Sequence, residues 1–130
     1  MAHAIVEWTD NLEEETNIRE LLELIARAMR DAGDVFPWGG IRVRAIKLTD
    51  YVIADGLADD AFVNITVKMG AGRSAEFKQR FFGELFETVK SHFADLFERR
   101  YLALSMYVEE ANEGGSFKHN NIHNRFRTSG

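Results

Sequence analysis

Ala61-Phe62-Val63-Asn64-Ile65-Thr66-Val67-Lys68-Met69-Gly70-Ala71-Gly72-Arg73-Ser74 is the stretch on which the fold turns. Val63, Ile65, Val67 and Met69 point one way, and Asn64, Thr66 and Lys68 the other. That is the period of a strand with one apolar face. Downstream, Phe77, Phe81, Leu85, Val89, Phe93 and Leu96 recur at helical spacing, with Phe82, Phe86 and Phe97 widening the stripe. The glycines therefore stand where a strand hands over to a helix. Ser74 is placed to cap that helix, and Arg73 marks the junction. Backbone amides at a helix start, together with a guanidinium, make a seat for a carboxylate or phosphate. A plain glycine turn carrying a solvated arginine is the competing reading.

Working outward, the same pattern occurs earlier in the chain. Residues 3–8 form a short strand, and Asn17 with Glu20 makes a capping-box pattern. Ile18, Leu21, Leu22, Ile25 and Met29 then form a helical stripe that stops at Gly33. Pro37 and the Gly39-Gly40 pair break the chain before a strand over 41–48. The alternation of that strand slips at Ala45-Ile46, which predicts a bulge. After a turn at Asp55-Gly56 come a strand over 61–69, one helix over about 74–99 and a strand over 102–109. Strand, helix, strand thus occurs twice in one domain spanning 1–130, over about 2–55 and 60–112, followed by a C-terminal segment. With right-handed crossovers, the two units give an α+β fold: a four-stranded sheet with both helices on one face.

Composition narrows the function. A chain of 130 residues, 45% of them hydrophobic, has enough apolar material for one core. Its net charge of −5 argues against a nucleic-acid or anionic-membrane surface. The absence of cysteine excludes disulfides, thiolate catalysis and cysteine metal sites. No apolar run is long enough for a membrane span, and the first residues do not read as a signal peptide, so a soluble cytoplasmic protein is expected. His119 and His123 are four apart and with His3 are candidate metal ligands. Without an HExxH pattern or cysteine, no metal is expected.

The helices leave one sheet face uncovered, carrying Asn64, Thr66, Ser105 and Tyr107, with Arg42 or Arg44. That mixture suits a surface meeting other subunits; an open, solvated face is the alternative.

At this point the chain resembles the tautomerase superfamily and, within it, the 5-carboxymethyl-2-hydroxymuconate isomerases. The resemblance lies in His3 to Glu7 with Asp10-Asn11-Leu12, Phe36-Pro37 with the stretch from Gly40 to Arg44, and Ala54-Asp55-Gly56. It continues through Ala61 to Arg73, Leu102-Ala103-Leu104-Ser105, and Phe117-Lys118-His119-Asn120-Asn121-Ile122-His123. It implies a βαββαβ subunit assembled as a homotrimer. It also implies a cofactor-free isomerase of aromatic catabolism, acting on an unsaturated 2-hydroxy or 2-oxo di- or tricarboxylate, and a C-terminal segment that takes part in the subunit contact.

The family's base is a proline exposed when the initiator methionine is removed, and here that position is Ala2. Alanine at this position permits removal of Met1, and the amine it then exposes is primary rather than secondary. An α-amino group has a pKa of roughly 7.7–8.0, closer to neutrality than a lysine, and cationic neighbours lower it further. By the same resemblance Arg42 and Arg73 are carboxylate clamps that polarise the 2-oxo group, for which the guanidinium fork is suited. Arg44 faces the same side as Arg42 and is a third clamp or a neutral neighbour. Asn64 stands where relatives carry histidine, so it orients substrate or is a polar residue of the subunit contact. Two alternatives to an active isomerase stay open: a catalytically impaired or inactive keto-acid-binding paralogue, and a structural trimer without a ligand.

Overall fold

The computed structural model describes residues 2–112 and 114–126. Strand β1 (Ala2–Thr9) passes through a short turn into helix α1 (Ile18–Arg30), and strand β2 (Ile41–Leu48) returns beside β1. Strand β3 (Ala61–Gly70), helices α2 (Ala75–His92) and α3 (Ala94–Arg99), and strand β4 (Leu102–Ala111) repeat the pattern. The sheet runs in the order β2-β1-β3-β4. Its outer pairs, β1 with β2 and β3 with β4, are parallel, whereas β1 and β3 meet antiparallel at the centre.

Alternation separates the two faces. Ala2, Ala4, Val6 and Trp8 of β1 and Val63, Ile65, Val67 and Met69 of β3 are buried. They pack with Leu21, Ile25 and Met29 of α1 and Phe82, Leu85 and Val89 of α2 in one core, so both helices cover the same face. The helix starts behave as their sequences dictate. Asn17 accepts a hydrogen bond from the Glu20 amide at 3.0 Å, and Ser74 accepts one from the Phe77 amide at 3.0 Å. Each satisfies an amide that the first helical turn leaves without a partner.

Two expectations are corrected. The helix over 74–99 is two helices, broken at Phe93, where φ is −101° and ψ is 7°. Phe93 is fully buried, and burying its ring at this bend leaves Phe97 on the exposed side of the short helix that follows. Core packing here overrides a stripe that would have run straight on. Nor is there a bulge at Ala45-Ile46: β1 and β2 stay in register from Ala2–Ile41 to Thr9–Leu48. The alternation slips because Ile46, an apolar residue, lies on the open face, 47% exposed.

Candidate active site

The open face brings charges together through strand register. His3 on β1 sits directly between Arg42 on β2 and Lys68 on β3, all three on the side away from the helices. Two rungs along β1, Ile5 pairs with Arg44. Nη1 of Arg42 lies 3.1 Å from Nε2 of His3, and Nη1 of Arg44 lies 3.1 Å from its Nδ1. Guanidinium N–H groups only donate, and a neutral imidazole has one acceptor nitrogen. His3 therefore accepts fully from one arginine at a time. Burial, followed by the charges of Arg42 and Arg44, pushes its pKa below the ordinary 6.5, so the ring is neutral at neutral pH.

A cavity of about 400 Å³ opens at this end of the sheet. His3, Arg42, Lys68 and Gly70 form its floor, and Lys118 and His119 close it from the C-terminal segment. No carboxylate is among its described lining residues. In a chain with a net charge of −5, three cationic side chains around one cavity are a local reversal of sign. Such a cavity attracts carboxylates and holds them by charge-assisted hydrogen bonds.

Ala2 is fully buried on the first rung of β1, between Ile41 and Met69. Its chain neighbour His3 and its rung neighbour Met69 both line the cavity. Arg73 lies behind the floor. Its Nη1 donates to the Gly70 carbonyl and its Nη2 to the Val35 carbonyl, both at 2.7 Å, and its guanidinium stands over the buried Phe36 ring at 5.5 Å. Asn64 stands apart on the open face. It donates to Glu7 at 3.4 Å and accepts from the Ser105 hydroxyl at 2.6 Å. Of the residues singled out in the sequence, the fold thus gathers Arg42 and Arg44 around His3 and sets Arg73 against Gly70. Asn64 it places elsewhere.

His119 and His123 point to different surroundings: His119 lines the cavity, whereas His123 packs against Gly39 and faces Asn120. Among the described residues no group of three histidine or acidic side chains is placed to hold a metal ion.

His3, Lys68 and Lys118 were not read from the sequence as carboxylate-binding residues. Alternation puts the first two on the same face as Arg42, but only the β2-β1-β3 order makes the three neighbours. For Lys118 the sequence carries no local signal, since it arrives from a segment without regular structure.

Comparison with known proteins agrees with this architecture. Residues 2–126 match the family model described as 5-carboxymethyl-2-hydroxymuconate isomerase. The 5-carboxymethyl-2-hydroxymuconate Delta-isomerase of Escherichia coli is 42% identical over 127 residues, covering 98% of this chain and all of that protein. The crystal structure of a 5-carboxymethyl-2-hydroxymuconate isomerase from Deinococcus radiodurans R1 superposes with a TM-score of 0.92 at 43% identity, covering 98% of this chain and 95% of that one. A second crystal structure, of a 5-carboxymethyl-2-hydroxymuconate delta-isomerase, gives 0.89 at 26% identity, covering 100% and 95%. With nearly its whole length matched in sequence and in fold, the chain belongs to the 5-carboxymethyl-2-hydroxymuconate isomerase family.

Proposed function

We propose that this isomerase acts on 5-carboxymethyl-2-hydroxymuconate, or on a closely similar unsaturated 2-hydroxy or 2-oxo polycarboxylate, in the degradation of aromatic compounds through homoprotocatechuate. The observation that carries the reading is the cationic cavity of Arg42, Lys68 and Lys118 beside the first rung of β1. A substrate with three carboxylates needs several cations within one small volume, and the cavity supplies them.

The base is the nitrogen of Ala2. While Met1 is attached that nitrogen is an amide; removal of Met1 makes it an amine next to the cavity wall. Cationic neighbours favour its neutral form and bring its pKa towards the operating pH. The amine takes the proton of the 2-hydroxy group, the electron pair moves along the diene, and the proton returns to a carbon. The product is the conjugated 2-oxo acid. One proton leaves and one arrives, so no oxidant, reductant or cofactor enters the balance. Arg42 pairs with a substrate carboxylate and steadies the charge developing on the 2-oxygen. Arg44 supports it across His3. Arg73 adds positive charge behind Gly70 and holds that rung in place. Asn64, held by Glu7 and Ser105, belongs to the contact between subunits.

That contact builds a homotrimer on the open sheet face. Ile46 on β2 and Tyr107 on β4 lie there 47% and 62% exposed. Apolar surface of this kind among polar residues suits a subunit interface. Among the described residues no helix is long and apolar enough to cross a membrane. A cytoplasmic location accords with that and with the lack of cysteine.

The test is an ultraviolet assay of 5-carboxymethyl-2-hydroxymuconate conversion by this protein and its Ala2→Pro variant, with loss of Met1 verified by mass spectrometry. Turnover by the alanine protein supports the reading directly. Turnover by the proline variant alone leaves the alanine protein as a keto-acid binder in a true isomerase pocket. Failure of both assigns the cavity to another anion.

A further inference from the structure

The C-terminal segment is held at one point and works at another. Its anchor is Gly39, in the short turn Trp38–Gly40 before β2. Asn120 donates from Nδ2 to the Gly39 carbonyl at 2.7 Å. The Asn120 side-chain oxygen accepts from the Ile122 amide at 2.7 Å, which starts the turn Ile122–Phe126. His123 packs so closely on Gly39 that a Cβ there would stand 2.6 Å from its Nδ1 and 2.7 Å from its backbone nitrogen. Backbone cannot yield as a flexible side-chain tip can, so the position requires glycine. Phe126 completes the anchor edge-on against Trp38, with ring centroids 5.7 Å apart.

Upstream of this anchor, Lys118 and His119 reach the cavity. An added Cβ on Gly70 would lie 3.9 Å from Nζ of Lys118 and 3.7 Å from Nη1 of Arg73. The ammonium from the segment and the guanidinium from the α2 junction therefore converge on the last rung of β3. Arg42 and Lys68 approach the same cavity from the sheet.

We propose that residues 116–123 are the closing wall of the substrate site, latched on Gly39 by Asn120 and His123, and that Lys118 binds one carboxylate of a polycarboxylate ligand. The sheet alone presents Arg42 and Lys68, which suit a dicarboxylate; the latched segment adds the cation for a third carboxylate. This assignment rests on the reading of the cavity as a polycarboxylate site and adds to it a residue that discriminates by charge number.

The experiment is calorimetric titration with two unreactive probes, propane-1,2,3-tricarboxylate and glutarate, on the intact protein, Lys118→Met and Gly39→Ala. Hydrogen exchange over residues 116–123 is followed in parallel. The unaltered protein is expected to prefer the tricarboxylate. Lys118→Met should weaken the tricarboxylate about tenfold and glutarate far less. Gly39→Ala should do the same while accelerating exchange across the segment, although it removes no charge. Three results overturn the proposal: no preference for the tricarboxylate in the unaltered protein, equal loss of both probes in Lys118→Met, or unchanged affinity in Gly39→Ala despite faster exchange. Lys118→Met decides the matter alone if Gly39→Ala does not fold. Turnover of the unsaturated substrate is measured separately. Selective tricarboxylate binding without turnover retires the isomerase reading and keeps the latch; turnover with an overturning result does the reverse.

Discussion

Nη1 of Arg73 donates to the carbonyl oxygen of Gly70 at 2.7 Å, and this bond ties the start of α2 back onto the last rung of β3. With the bond from Nη2 to Val35, one guanidinium fastens three separate stretches of chain around the rear of the cavity. Arg73→Ala is expected to lower stability by about 1.5–3 kcal/mol, the range for hydrogen bonds made by a charged group. A urea melt checks this, and carboxylate affinity should fall with it. Loss of affinity at unchanged stability would mean that the arginine serves the ligand alone.

Arg42 faces the cavity directly, so its removal should act on substrate more than on folding. Arg42→Ala is expected to raise KM by roughly 10- to 100-fold. Arg42→Lys should recover only part of that, since an ammonium cannot offer the planar fork. Steady-state kinetics at two salt concentrations give the answer, with the unaltered protein losing more affinity at high salt than Arg42→Ala.

Much of the fold was legible because its signals are local. Asn17 and Ser74 announce their helices by residue type and position, and the alternation of Val63, Ile65 and Val67 states which side of β3 is buried. The two misreadings arose where a local pattern met a distant neighbour. Phe93 bends the second helix because its ring is taken into the core, and Ile46 breaks the alternation of β2 because apolar residues also occupy the open face. The site was legible in part for the same reason. Arg42 and Arg44 share a face by the two-residue period of a strand. That His3 stands between Arg42 and Lys68 depends on strand order, and the arrival of Lys118 depends on a latch to a glycine far away in sequence.

Stability should depend on pH through His3 and His92. Burial pushes both below the ordinary value of 6.5, with the charges of Arg42 and Arg44 adding to the effect at His3. The unfolded chain binds these protons more readily than the fold does. Stability is therefore complete above about 6.5, falls as the pH drops through that value, and levels off below the folded-state values. Thermal melts at pH 7.5 and 5.5 should show the loss, and His92→Gln should shrink it. An identical slope in a His3→Gln, His92→Gln double variant would hand the effect to the carboxylates.

Phe36 joins the loop before β2 to the second helix. It is fully buried against the rings of Phe77, Phe81 and Phe82, with Arg73 on its face. Phe36→Ala is expected to cost about 3–5 kcal/mol, as large aromatic truncations in cores do. Denaturant unfolding measures the loss, and Phe36→Leu should recover most of it. A loss below 1 kcal/mol for the alanine variant would mean that the aromatic cluster closes over the gap.

The seating of Ala2 has a practical side. Protein ends are where engineers usually append purification handles, on the assumption that they hang freely in solvent. Here the second residue of the chain is already a fully buried rung of the central strand pair, between Ile41 and Met69. Whatever is fused ahead of it is joined to a rung whose neighbours His3 and Met69 line the cationic cavity. An uncleaved leading tag would therefore keep the Ala2 nitrogen an amide, whatever the tag's own sequence.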